Sequence, residues 1–157
     1  MNKYIIFIFL SLFLIERSSA DVFKEKGLRY YQPIKVNNPD TYNYIVNALS
    51  ALNSLDYSNL NNSIEKKGIS SFDTLYEACL LEGSSNSTLD FMELNRNLIT
   101  SKYANQIFLD YKKKLTKAKK ITLGRCSDVR STLDKKFEVE AEIRKQKFIS
   151  DIFHGNP

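Results

Sequence analysis

Few residues in this chain have the types and spacing that chemistry requires. The single histidine, His154, stands in the C-terminal tail, so neither a Ser-His nor a Cys-His pair has a credible base. Glycines occur singly at 27, 68, 83, 124 and 155, which excludes a phosphate-cradling loop of the Walker or dinucleotide type. Glu138, Glu140 and Glu142 alternate at i, i+2, a spacing that sends neighbouring carboxylates to different sides of a helix. Asp73 and Glu77 are four apart and share a helical face, which reads as solvated surface. Two cysteines and one histidine do not complete a zinc shell. The pattern therefore assigns no catalytic residue, no metal and no cofactor, and the expectation is a non-enzymatic protein.

The densest charge lies in Lys112-Lys113-Lys114-Leu115-Thr116-Lys117-Ala118-Lys119-Lys120. From Tyr111 to Ala118 it resembles the short heparin-binding pattern of three basic residues, two others and one more basic residue. On a helical wheel Lys113, Lys117 and Lys120 fall on one strip opposite Ile107, Tyr111 and Leu115. Lys112 and Lys119 flank that strip, and Arg125 extends it. Sulfate or phosphate groups spaced along a polymer would be met by such a row, so a glycosaminoglycan or an anionic lipid surface is the expected partner. The simpler explanation is a solvated helix end whose cations complement the macrodipole. The formal net charge of +5 is mild and names no partner by itself. Nucleic acid is not expected, because no aromatic-interleaved recognition motif accompanies the lysines. An unidentified protein target is neither favoured nor opposed by composition.

A second functional reading is a carrier of a small hydrophobic ligand. Tyr103, Phe108, Tyr111, Phe137 and Phe148 would line a cavity between helices; as ordinary core they need no further explanation.

Compartment is read from the N-terminus. Lys3, the apolar run from Tyr4 to Ile15 and the small residues Ser18-Ser19-Ala20 have the layout of a secretory signal peptide over residues 1–20. Twelve apolar residues rise only about 18 Å as a helix, short of a bilayer span, and no transmembrane segment is expected elsewhere. An extracellular, secreted protein follows. Cys79 and Cys126 would meet an oxidising route, and a disulfide between them is the expectation. The sequons at Asn61 and Asn86 fall where turn-forming residues suggest loops, as candidate glycosylation sites.

The elements that must position these residues are helical. Residues 21–38 lack helical spacing and predict an extended arm. Pro39-Asp40-Thr41 starts a helix whose apolar positions Tyr42, Ile45, Val46, Leu49 and Leu52 recur at three and four; Tyr57 to Asn62 predicts its end. A short second helix runs from the Ser70-Ser71 cap to Gly83. Ser87 opens a long third run to Thr122, with an apolar face that changes phase near Thr100 and predicts one helix kinked there or two separate helices. The last helix begins near Cys126 and carries Val129, Leu133, Phe137 and Ala141 on a drifting stripe. These make an all-α, antiparallel four-helix bundle of two short and two long helices with an extended N-terminal arm: a single helical domain over 39–153 and a flexible tail at 154–157.

Overall fold

The computed structural model describes residues 24–99 and 102–153, with side chains for 24–99 and 105–147. The expected signal peptide, the 154–157 tail and the Thr100 kink point lie outside the described residues. The described residues are all-α: α1 (Pro39–Lys67), α2 (Phe72–Leu94), a 3₁₀ turn (Arg96–Leu98), α3 (Lys102–Thr122) and α4 (Cys126–Phe153), of which α1, α2 and α3 pack together in the first unit. The division into short and long helices does not hold, since the four span 29, 23, 21 and 28 residues. Two compact units are distinguished, residues 1–127 and 128–157.

α1 starts at Pro39, with Asn38 as its cap. The Asn38 side chain accepts from the Asp40 amide at 2.7 Å and Pro39 occupies the first turn, where its missing N–H is no loss. The turn-forming run from Tyr57 to Asn62 does not end it. Leu60 there is fully buried in a cluster with Ala78, Leu81, Ala118 and Ile121, and that packing overrides local propensity. The helix stops instead at Gly68, which takes φ 79° while its amide reaches the Ile64 carbonyl.

α2 is the central element of the first unit, packed between α1 and α3. Ser71 caps it, accepting from the Thr74 amide at 3.1 Å. It passes without interruption through Gly83-Ser84-Ser85-Asn86-Ser87, where sequence spacing predicts a loop. Every residue from Ala78 to Leu89 is buried. Its apolar positions feed three core clusters: Leu81 joins Leu60, Phe91 stacks on Tyr42 with ring centroids 5.6 Å apart, and Leu89 and Met92 enclose Tyr111.

Small polar residues persist in this buried helix because the arm lies against them. A Cβ on Gly83 would stand 2.4 Å from the Arg29 amide nitrogen, and one on Gly27 would stand 2.4 Å from the Gly83 nitrogen. Close backbone approach therefore requires glycine on both sides. The expected arm is not extended throughout, since residues 24–26 are helical and 28–29 form a turn before the extended part; having no ladder of its own, it satisfies its backbone on α2. Leu28 N–H donates to the Cys79 carbonyl, Asn86 Nδ2 to the Lys26 carbonyl, and Tyr31 N–H to Ser87 Oγ. Farther along, Asn95 Nδ2 donates to the Ile34 carbonyl and Asn95 Oδ1 accepts from Val36 N–H.

The predicted run from Ser87 to Thr122 is two helices. α2 ends at Leu94, Asn95 leaves the helical region, and the 3₁₀ turn follows. The phase change in the apolar pattern thus marks a break between separate helices. In the second unit, α4 is buried at Val129 and half-buried at Leu133, but Phe137, Val139 and Ile143 are 59%, 59% and 60% exposed. From Phe137 to Ile143 apolar and acidic residues alternate at period two, which distributes the apolar groups around a helix and forms no single face.

Candidate functional site: a lysine-rimmed cavity over a buried carboxyl

The cysteines expected to pair do so. Cys79 in α2 and Cys126 at the start of α4 form a disulfide with Cα atoms 5.5 Å apart, both fully buried. Beside it, Glu82 is almost wholly buried on α2. Its Oε2 accepts from Thr122 Oγ1 at 2.6 Å and lies 3.8 Å from the Cys126 sulfur. Burial raises the Glu82 carboxyl above its ordinary range, opposed by the Thr122 hydroxyl and by the charge of Lys119.

Glu82 faces a cavity of about 450 Å³ lined also by Lys24, Glu25, Lys26, Asn86, Lys119 and Gly124. Three ammonium groups thus surround two carboxyls, one of which is pushed toward its neutral form. Lys26 is held by Asp90 at 3.1 Å, and Asp90 also accepts from the Tyr30 hydroxyl at 3.0 Å. Lys24 and Lys119 have no ion-pair partner among the described residues. The arm supplies one wall, α2 the floor and the end of α3 the other wall. The arrangement can receive an anionic group; it offers no nucleophile with an adjacent base.

The sequence-predicted polyanion residues divide. Lys113, Lys119 and Lys120 are exposed on α3. Lys112 is also exposed, its ammonium 4.5 Å from the centre of the Phe108 ring. Lys117 leaves the outward strip: it is half-buried, donates to Asn61 Oδ1 and lies 4.9 Å over the Tyr57 ring. The wheel fixes its angle on α3 but not the presence of α1 within reach of a long side chain. Arg125 folds back on the helix end, donating to the Thr122 carbonyl at 3.3 Å and the Ile121 carbonyl at 3.5 Å. Lys114, also in the run, pairs with Asp110 at 2.8 Å and lies 5.5 Å from the Tyr57 and Tyr111 ring centres.

The aromatic set proposed for a ligand cavity is not assembled among the described residues. Tyr111 is buried in core with Leu89 and Met92, Phe108 packs at the edge of that cluster, and Phe137 is exposed. The side chains of Tyr103 and Phe148 lie outside the described residues. Neither sequon is in a loop. Asn61 is half-buried on α1 beside Lys117, and Asn86 is buried on α2 with its amide committed to Lys26, so a glycan there would have to displace the arm.

Sequence reasoning missed Lys24, Lys26 and Glu82, which come together only through the arm. It also missed a polar cluster between α1 and α2. There Asn53 Nδ2 donates to Ser84 and Ser85, and buried Asp56 meets Arg29 of the arm at 3.3 Å. Burial raises the carboxyls of both Asp56 and Glu77. Ser84 and Arg29 oppose the shift at Asp56, while the charge of Asp56 adds to it at Glu77. A visible signal for the continuous helix was phase: Leu81, Ser85, Thr88 and Met92 keep spacings of four, three and four across the supposed loop.

Compared with known families and proteins, the chain matches no protein-family model, no curated protein and no solved structure.

Proposed function

We propose that this is a secreted, non-enzymatic binding protein that attaches to extracellular polyanions through the basic end of α3. The observation that carries the reading is the position of Lys119. It belongs to the helical lysine row and also lines the cavity with Lys24 and Lys26, so the row leads into a concave basic site. Sulfate or carboxylate groups on a polymer would contact Lys113 and Lys120 along the helix and enter the cavity at Lys119. The signal-peptide pattern and the disulfide favour an extracellular setting, where glycosaminoglycans present such groups. The raised Glu82 carboxyl favours the same ligand class, because a neutral floor repels an anion less than a charged one.

Heparin-affinity chromatography tests this reading. The wild-type protein should be retained and released by salt, since screening shortens the reach of the lysines to about 8 Å at physiological ionic strength. Replacing Lys113, Lys119 and Lys120 together by glutamine should shift elution to markedly lower salt. Unchanged retention of that variant would overturn the proposal.

A further inference from the structure

Next in the chain to Gly124 of the cavity stands a residue that polyanion binding does not explain. Leu123 has φ +48°, the one positive value at a non-glycine residue among the described residues, and its side chain is 73% exposed. A leucine is disfavoured in the left-handed region because of its Cβ, and this helix end would more readily use glycine or asparagine. Burial offers no compensation, since the side chain stands in solvent. Gly124 follows with φ 76° and nothing within 4 Å of where its Cβ would be. The Leu123 amide reaches the Lys119 carbonyl and the Arg125 amide reaches the Thr122 carbonyl, so the turn itself is hydrogen-bonded and holds the leucine outward.

The surroundings of that leucine are cationic. Lys119 and Lys120 precede it on the last turn of α3 and Arg125 follows it. Gly124, the next residue in the chain, lines the cavity shared by Lys24, Lys26 and Lys119. We infer that this tip docks on an anionic phospholipid surface, with Leu123 entering the acyl boundary and the surrounding lysines meeting headgroup phosphates at the cavity mouth. A sulfated polysaccharide has no apolar layer and gives an outward leucine no role. A lipid interface takes both components, and stable peripheral attachment needs two such signals. The inference rests on the basic site proposed above and gives that site a lipid surface as a further anionic partner beside the polymer.

The chain contains no tryptophan, so Leu123→Trp gives a single emission reporter at the tip. With vesicles of phosphatidylcholine containing phosphatidylserine, its emission should shift to the blue, and with pure phosphatidylcholine it should not. In parallel, Leu123→Gly suits the left-handed backbone and keeps the fold. It should weaken sedimentation with the anionic vesicles about tenfold, the effect of returning one leucine side chain to water. Absence of an emission shift, or vesicle binding by Leu123→Gly equal to wild type, overturns the inference. Heparin retention without vesicle binding overturns it while leaving the basic site standing. Loss of neither activity in the Lys113, Lys119 and Lys120 variant removes the site itself.

Discussion

α2 and the end of α3 use polar residues in opposite ways. Along α2, Ser84, Ser85, Asn86, Ser87 and Thr88 are buried, and their side chains hydrogen-bond to the arm, to α1 or to the preceding turn of α2. At the end of α3, Lys119 and Lys120 stand in solvent with Leu123. In the first region polar groups hold elements together, because a buried donor or acceptor must find a partner. In the second, charge and an apolar side chain are left free to meet something else. The difference separates structural from functional polarity: substitutions on α2 and its contacts should change stability, and substitutions at the α3 end should change binding.

The largest effect on stability is expected from the disulfide that joins α2 to the start of α4. Replacing Cys79 and Cys126 together by alanine should lower unfolding free energy by about 4 kcal/mol on chain-entropy grounds, measured by urea denaturation. A loss below about 1 kcal/mol would mean that the buried helix holds without its crosslink. Next is Arg29→Met, which leaves the Asp56 carboxyl buried without its cation and should cost about 3 kcal/mol at neutral pH. The cost should be smaller at pH 5, where Asp56 can neutralise itself by taking up a proton.

The pH dependence of the wild type follows from the raised carboxyls of Asp56, Glu77 and Glu82. The folded protein binds these protons more tightly than the unfolded chain. Their contribution to stability is therefore full below the ordinary carboxyl range and is lost as pH rises through the elevated folded values. Thermal stability should rise as pH is lowered from 7 toward 5, and Glu82→Gln should reduce that slope. A melting temperature that falls over the same interval would contradict the assignment. Smallest of all, Lys120→Gln should leave unfolding free energy within about 0.5 kcal/mol of wild type, and Leu123→Gly should equal or exceed it. A large loss at either site would give the α3 end a structural role and break the contrast.

Much of this was legible in the sequence, for physical reasons that differ from residue to residue. Cys79 and Cys126 both lie on apolar stripes, so their pairing was expected from that pattern together with the expected signal peptide. The arm was legible over 30–38, which have no helical spacing, but the helical residues 24–26 were not. The serines of α2 were misread because Ser and Asn favour turns when their side chains satisfy their own backbone; here they satisfy neighbouring elements, and tertiary packing outweighs propensity. Lys117 was misplaced because a helical wheel contains no second helix. The cavity was not legible at all, since Lys24, Glu82 and Lys119 are far apart in the chain and meet only because the arm crosses α2. Leu123 carried no signal in sequence, and its meaning depends on a backbone angle and an exposure.

The claim that geometry rather than net charge makes the α3 end a binding site has a direct test. Two variants that each lose two positive charges, Lys119→Gln with Lys120→Gln and Lys114→Gln with Lys117→Gln, are compared by salt elution from immobilised heparin. The first should elute at clearly lower salt than wild type. The second, whose lysines lie against Tyr57, Asp110 and Asn61, should elute closer to wild type. Equal shifts for both would contradict the account and reduce the lysine run to undirected charge.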